Sequence, residues 1–331
     1  MVTGGHFWKT FFNTLYGFCI VAFIVAQQVI IYSIHLEQDF AGWFISTSIL
    51  LTSFVIVTQA LLSGKGLQLL MRELLQIESL LLPGRRWRFG ISFYAMYAIG
   101  IARCAFRTTL LVQLGLRKLS VALMLVTPSL IVLVRINQQI FLMELIASHL
   151  SVILSEISNS QGVNRGFTED QEQQHSEHSC NMLQRVDHLF GRLQKCLIMM
   201  NSLFGWSTAA IVVYLFINIT FQFRTPMQML PFYAQMVDVA FSTLLLLFLC
   251  KSANLATEKM NDIRCSLLKP FYPECLWDQL HNLIVRTKLQ PFEFTANGLY
   301  SINYRLFGST LAASATYVVI MFQFDQKSQN T

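Results

Sequence analysis

Seven stretches of the chain are apolar for long enough to cross a membrane: residues 14–36, 41–62, 89–112, 119–145, 203–223, 232–250 and 302–322. At ~1.5 Å rise per residue, a helix of about 20 residues spans a ~30 Å hydrocarbon core. The pattern predicts an all-α, polytopic membrane protein, a single domain over residues 1–331 with seven transmembrane helices. The third stretch carries Arg103 and Arg107, each costly at mid-bilayer unless paired or turned toward a cavity.

Elsewhere the apolar positions are spaced rather than continuous. Ile146, Leu150, Ile153, Leu154 and Ile157 recur at helical spacing, as do Leu183, Val186, Leu189, Phe190, Leu193 and Leu197. They predict extramembrane helical regions at about 146–202 and 251–299. Such stripes usually pack inside one subunit, and two long ones beneath a bundle also suit subunit assembly. Residues 158–179 between them are polar and of low complexity, which predicts a loop.

The last apolar stretch has two unlike faces. At ~100° per residue, Ser301, Arg305, Gly308, Ala312, Thr316, Val319 and Gln323 share one side, and Phe307, Leu311, Val318 and Met321 the other. Small, weakly polar stripes in lipid face a neighbouring helix or an aqueous path. Ordinary helix packing is the commoner of the two.

Charge orients the chain. Of the 24 lysines and arginines, Arg117, Lys118, Arg224 and Lys327 fall on one side, and Arg103, Arg107, Arg135 and Arg305 lie in apolar stretches. The other sixteen all fall on the opposite side, so the positive-inside rule puts the N-terminus in the cytosol and the C-terminus outside. The same asymmetry explains the net charge of +6 without a nucleic-acid partner, for which no recognition motif is present. With 54% hydrophobic and 13% charged residues, a soluble globule is excluded. The first apolar run lacks a small-residue cleavage site and predicts an uncleaved signal-anchor.

Enzyme chemistry finds no foothold: there is no nucleophile elbow, phosphate loop or zinc-protease motif, no catalytic set and no cofactor signature. His175, His178 and Cys180 are close in sequence, but their spacing fits no zinc site and a fourth ligand is lacking, so no metal is expected. Seven cysteines, split between apolar stretches and polar loops, predict reduced thiols. The sequon at Asn218 sits at the end of a span and is expected to stay unglycosylated. A transporter would show internal repeats, which are absent. A ligand pocket combines apolar walls with a few oriented polar groups. The outer halves of the first six spans supply Trp43, Arg107, Tyr214, Asn218, Gln222, Tyr233, Gln235 and Asp238, with Arg107 and Asp238 the sharpest expected pair.

Thr316 and Tyr317, the hydrophobic run 318–322, then Gln323 and Phe324 spell TYhhhhhQF, where h is hydrophobic; Phe294 to Leu299 spell F-T-A-x-G-h. In these two motifs the chain resembles the insect gustatory receptors of the insect chemoreceptor superfamily. The resemblance implies a ligand-gated, non-selective cation channel of four subunits, alone or with other gustatory receptor subunits, joined through a cytoplasmic helical anchor. It implies a small-molecule tastant and a multi-pass place among the lipids of the plasma membrane, in dendrites of sensory neurons. It also implies a pore lined by the last helix, with Gln323 and Phe324 at the constriction and Val319, Thr316 and Ala312 below. Sugar receptors of the family tend to carry Glu after the Thr-Tyr pair; here Val318 disfavours that branch. A related odorant or pheromone receptor would share the architecture, and a metabotropic seven-helix receptor is opposed by the charge asymmetry.

Overall fold

A computed structural model describes residues 40–81, 91–113, 119–162, 169–222, 232–268 and 277–329, with the single positions 22 and 26; the expected span at 14–36 lies almost wholly outside them. Among the described residues the chain is helical apart from its turns and one short hairpin. The helices are α1 (Phe40–Leu62), α2 (Gly64–Leu81), α3 (Ile91–Gln113), α4 (Leu119–Gly162), α5 (Glu169–Phe221), α6 (Phe232–Leu267), α7 (Trp277–Leu289) and α8 (Tyr304–Gln329).

Five of them, α1, α4, α5, α6 and α8, are long and apolar enough to cross a membrane, and α3 adds a shorter apolar stretch, Tyr94–Phe106. The chain is thus an all-helical, polytopic membrane protein. With 44 and 53 residues, α4 and α5 far exceed what a bilayer needs. Each joins a span to an extramembrane helix without a break. The expected loop at 158–179 is accordingly shorter: α4 continues to Gly162 and α5 begins at Glu169, because Glu and Gln in 169–174 are good helix formers and acids suit a helix start.

The spaced apolar positions are spent inside the subunit. Ile146, Leu150, Ile153 and Ile157 of α4 and Leu183, Val186, Leu189, Phe190, Leu193 and Leu197 of α5 are all buried. They form one core with Leu70, Leu74 and Ile77 of α2 and Leu280 and Leu283 of α7. No long apolar run marks α2 in the sequence; its sign is a stripe, with Leu70, Leu74, Ile77 and Leu81 on one helical face. Glu73 ties α2 to α5 by accepting from Lys195 at 3.0 Å and Arg192 at 3.1 Å. Lys195 first, then Arg192, hold its carboxyl below the usual range against partial desolvation. We call the end of the bundle carrying α2 and α7 proximal and the opposite end distal.

A hairpin at 291–303 connects α7 to α8. Thr295 and Ser301 bridge across it, the Ala296 amide donates to Tyr300 and the Ile302 amide to Phe294. Asn297 and Gly298, at φ of 51° and 78°, make the reversal, which glycine accommodates without a Cβ penalty. Phe292, Phe294 and Ala296 are buried, Asn201 of α5 holds the Thr295 amide and the Glu293 carbonyl, and Tyr300 is buried enough that its hydroxyl is pushed up to about 12. Asn303 then caps α8 by accepting from the Leu306 amide. The F-T-A-x-G-h motif is therefore a clasp that docks the start of α8 onto α5.

Gly205 makes that docking possible, since a Cβ there would lie 2.6 Å from the backbone nitrogen of Asn297. Gly205→Ala is expected to lose about 1–3 kcal/mol, as overpacking against unyielding backbone does. The loss is read as a lower melting temperature of the purified protein; unchanged melting would mean the clasp is loosely held.

Candidate functional site

The residues singled out for a pocket divide into a buried set and a surface set. Tyr214, Asn218, Gln222, Gln235 and Asp238 are buried. Tyr233 is not: it is 54% exposed on the flank of α6, its ring edge-on to Phe106 at 6.1 Å. Trp43 is half-buried near the distal start of α1, where Phe44 meets Phe221 of α5 at 5.1 Å.

The centre of the buried set is an ion pair. Arg103 of α3 donates from Nε to Asp238 of α6 at 2.7 Å, with side-chain exposures of 7% and 3%. Asp238 was expected to meet Arg107; the structure gives it Arg103, one helical turn earlier, and the Arg107 side chain lies outside the described residues. The Arg103 guanidinium also stacks on Phe241 at 4.4 Å, and the Tyr214 hydroxyl lies within its reach. One turn further along α5, Asn218 donates to the Ser242 hydroxyl at 2.7 Å. Three helices thus share one polar layer in otherwise apolar surroundings. Sequence reading missed Arg103, Phe241 and Ser242 as its members.

The second candidate surface is α8. Its bulky side packs inward on α5 and α6, with Phe307, Leu311, Val318 and Met321 half-buried and Ser314 buried. Arg305, Gly308, Ala312, Thr316, Val319 and Gln323 are all exposed, as is Phe324 at 70%. The small polar stripe is therefore unused by packing within the subunit. Thr316 donates its hydroxyl back to the Ala312 carbonyl at 2.9 Å, so its side chain offers lone pairs and a methyl group outward. Tyr317 stands beside the stripe and meets Phe216 of α5 edge-on at 5.9 Å.

The sequence profile of the 7tm chemosensory receptors matches residues 2–328. No curated protein matches the chain. Among solved structures, the insect olfactory receptor OR5 from Machilis hrabei matches over 95% of this chain and 88% of its own, with a TM-score of 0.59 and 12% identity. The same receptor in complex with eugenol matches over the same shares at the same identity, with a TM-score of 0.64. At that identity the likeness concerns the fold, and the profile match across nearly the whole length fixes the kinship: the chain belongs to the 7tm chemosensory receptor family.

Proposed function

We propose that the chain is a gustatory receptor, a tastant-gated, non-selective cation channel in which α8 of each of four subunits lines a shared pore. The observation that carries the reading is the outward stripe on α8: a membrane helix that half-buries Phe307, Leu311, Val318 and Met321 and leaves a small, weakly polar stripe uncovered beside exposed Tyr317, Ile320 and Phe322 fits a wall that faces water along the stripe and lipid beside it. Gln323 and Phe324 form the constriction, with Val319, Thr316 and Ala312 beneath. Arg305 sits in the first turn of α8, at the proximal mouth and away from the constriction. The partners are a small-molecule tastant other than a sugar, membrane lipid, and identical or related gustatory receptor subunits; no nucleic acid and no cofactor enter. Its place is the plasma membrane, in dendrites of sensory neurons.

Currents recorded from cells expressing the chain, alone and with related subunits, against a broad tastant panel test the reading. Ligand-evoked cation current supports it. A response confined to volatile compounds favours the second reading, an odorant or pheromone receptor channel, which the likeness to an olfactory receptor motivates. A response that needs a G protein and carries no intrinsic current sinks both.

Two expectations accompany it. An epitope after Thr331 is reached by antibody on intact cells and one before Met1 only after permeabilisation; the reverse staining restores a metabotropic receptor. The ligand site is the distal polar layer, whose polar groups in an apolar setting suit a small organic molecule. Substituting Asn218, Gln235 or Tyr233 shifts ligand sensitivity at normal surface levels. Tyr233, on the flank, affects entry more than affinity. Loss of expression alone in all three would put the pocket elsewhere.

A further inference from the structure

Among the described residues two arginines are buried in the membrane bundle, and they are neutralised differently. Arg103 has its carboxylate in Asp238. Arg135 of α4 is 5% exposed, and among the described residues no acid and no other charged group reaches it. Its Nε donates to the Ser207 hydroxyl at 3.1 Å, one Nη to the Leu203 carbonyl at 2.8 Å, and the other to Gln138 at a long 3.4 Å, while Phe204 lies under the guanidinium at 3.9 Å. A guanidinium carries five N–H donors, so two remain without an acceptor among the described residues. The protein holds this cation in a fixed orientation, without a countercharge among the described residues.

The position says where that charge comes from. Leu203 opens the fifth apolar stretch, and Gln59, which donates to the Ser202 carbonyl and accepts from the Ser207 amide, lies near the end of the second. Arg135 therefore lies at the level where these helices leave the hydrocarbon at the proximal face, while the apolar run of α4 continues beyond it. Gln138, which holds one Nη, is exposed, so the guanidinium is one side chain beneath the surface. A Cβ on Gly66 would touch Leu203 at 2.6 Å, which sets the start of α2 against the same edge and puts the exposed Lys65 there as a second cation. Phosphate is the anion met at that depth, and a fixed guanidinium fork suits it better than a point charge does.

We propose that Arg135, with Gln138 at its rim, is the receptor for a phosphate group supplied by a phospholipid of the leaflet at the proximal end of the bundle. The probe is dioctanoylphosphatidylglycerol, with dioctanoylglycerol as its phosphate-free control, bound to the purified full chain in neutral detergent and counted by native mass spectrometry. The wild type retains the phospholipid over the control. Arg135→Gln weakens retention about tenfold or more, as loss of charge-assisted hydrogen bonds does, and Arg135→Lys falls between, keeping charge without the fork. If Arg135→Gln fails to fold, Gln138→Ala on the exposed face keeps the test open and weakens retention by a smaller factor. Displacement by millimolar inorganic phosphate leaves the phosphate site standing and makes free phosphate its source; resistance to it favours the lipid. Equal binding of probe and control, or variants that bind like the wild type, overturns the proposal. So does an Arg135→Gln chain that loses its oligomeric state with lipid retention unchanged, since the missing charge would then be another subunit's.

Discussion

Asp238→Ala is expected to destabilise the receptor by about 3–5 kcal/mol, the cost of stranding one member of a buried ion pair. The Arg103 side chain is 7% exposed, so water cannot replace the lost carboxylate. Phe241 and Tyr214 offer its guanidinium a ring face and a hydroxyl, neither of which is a countercharge. Asp238→Asn keeps an oxygen for Nε and costs less. Arg103→Leu combined with Asp238→Leu is expected to recover most of the loss, because apolar replacement of a whole buried pair is often neutral or better. Melting of the purified protein and its surface level report all three. If Asp238→Ala melts with the wild type, Arg103 finds another anion; if the double variant is no better than the single, Asp238 acts through something other than this pair.

That pair also marks where sequence stops determining structure. Arg103 and Arg107 are one turn apart and so lie near each other on the same side of α3. That Arg103 reaches Asp238 depends on the axial stagger of α3 against α6, where one turn is ~5.4 Å and no periodicity encodes the register. The exposure of Tyr233 is hidden in the sequence for a related reason. An aromatic ring on a span scores alike whether it lines a pocket or touches lipid, and only the packing of α6 shows it on the flank.

Other features were legible. The described spans follow directly from the apolar runs, and the sequence shows the small stripe of α8, but not that the subunit packs the opposite, bulky side and leaves the stripe exposed. The F-T-A-x-G-h motif could be seen but not interpreted. Its meaning lies in the fit of Asn297 against Gly205, a contact across 92 positions of sequence. The length of α4 and α5 was hidden because residues 158–179 have no apolar period, and their helical part follows from propensity rather than burial.

In the proposed tetrameric channel, Phe324→Ala is expected to raise resting current, and Gln323→Ala to alter conductance or block without dispersing the subunits. Both residues are exposed on α8, beyond the contacts that fix the helix to its own subunit. They differ by ~100° around the helix axis, so a modest rotation exchanges one for the other at a shared axis. In the proposed pore, four phenyl rings would make a constriction that dewets and stops ions, whereas four amides would pass a hydrated cation without selecting strongly among cations. Truncating the rings removes the apolar barrier of the closed state. A shift of ~1.4 kcal/mol in the closed–open balance is tenfold in open population, so resting current of roughly that multiple is expected. Gln323→Ala leaves the rings in place and removes the polar surface of the open state, which is why it acts on conductance and block. Thr316 and Val319 stand a turn or two below, and changes there scale current without opening the closed channel. If Phe324→Ala and Gln323→Ala gate and conduct like the wild type at equal surface levels, the constriction is elsewhere, and the exposed stripe of α8 serves as a packing face between subunits.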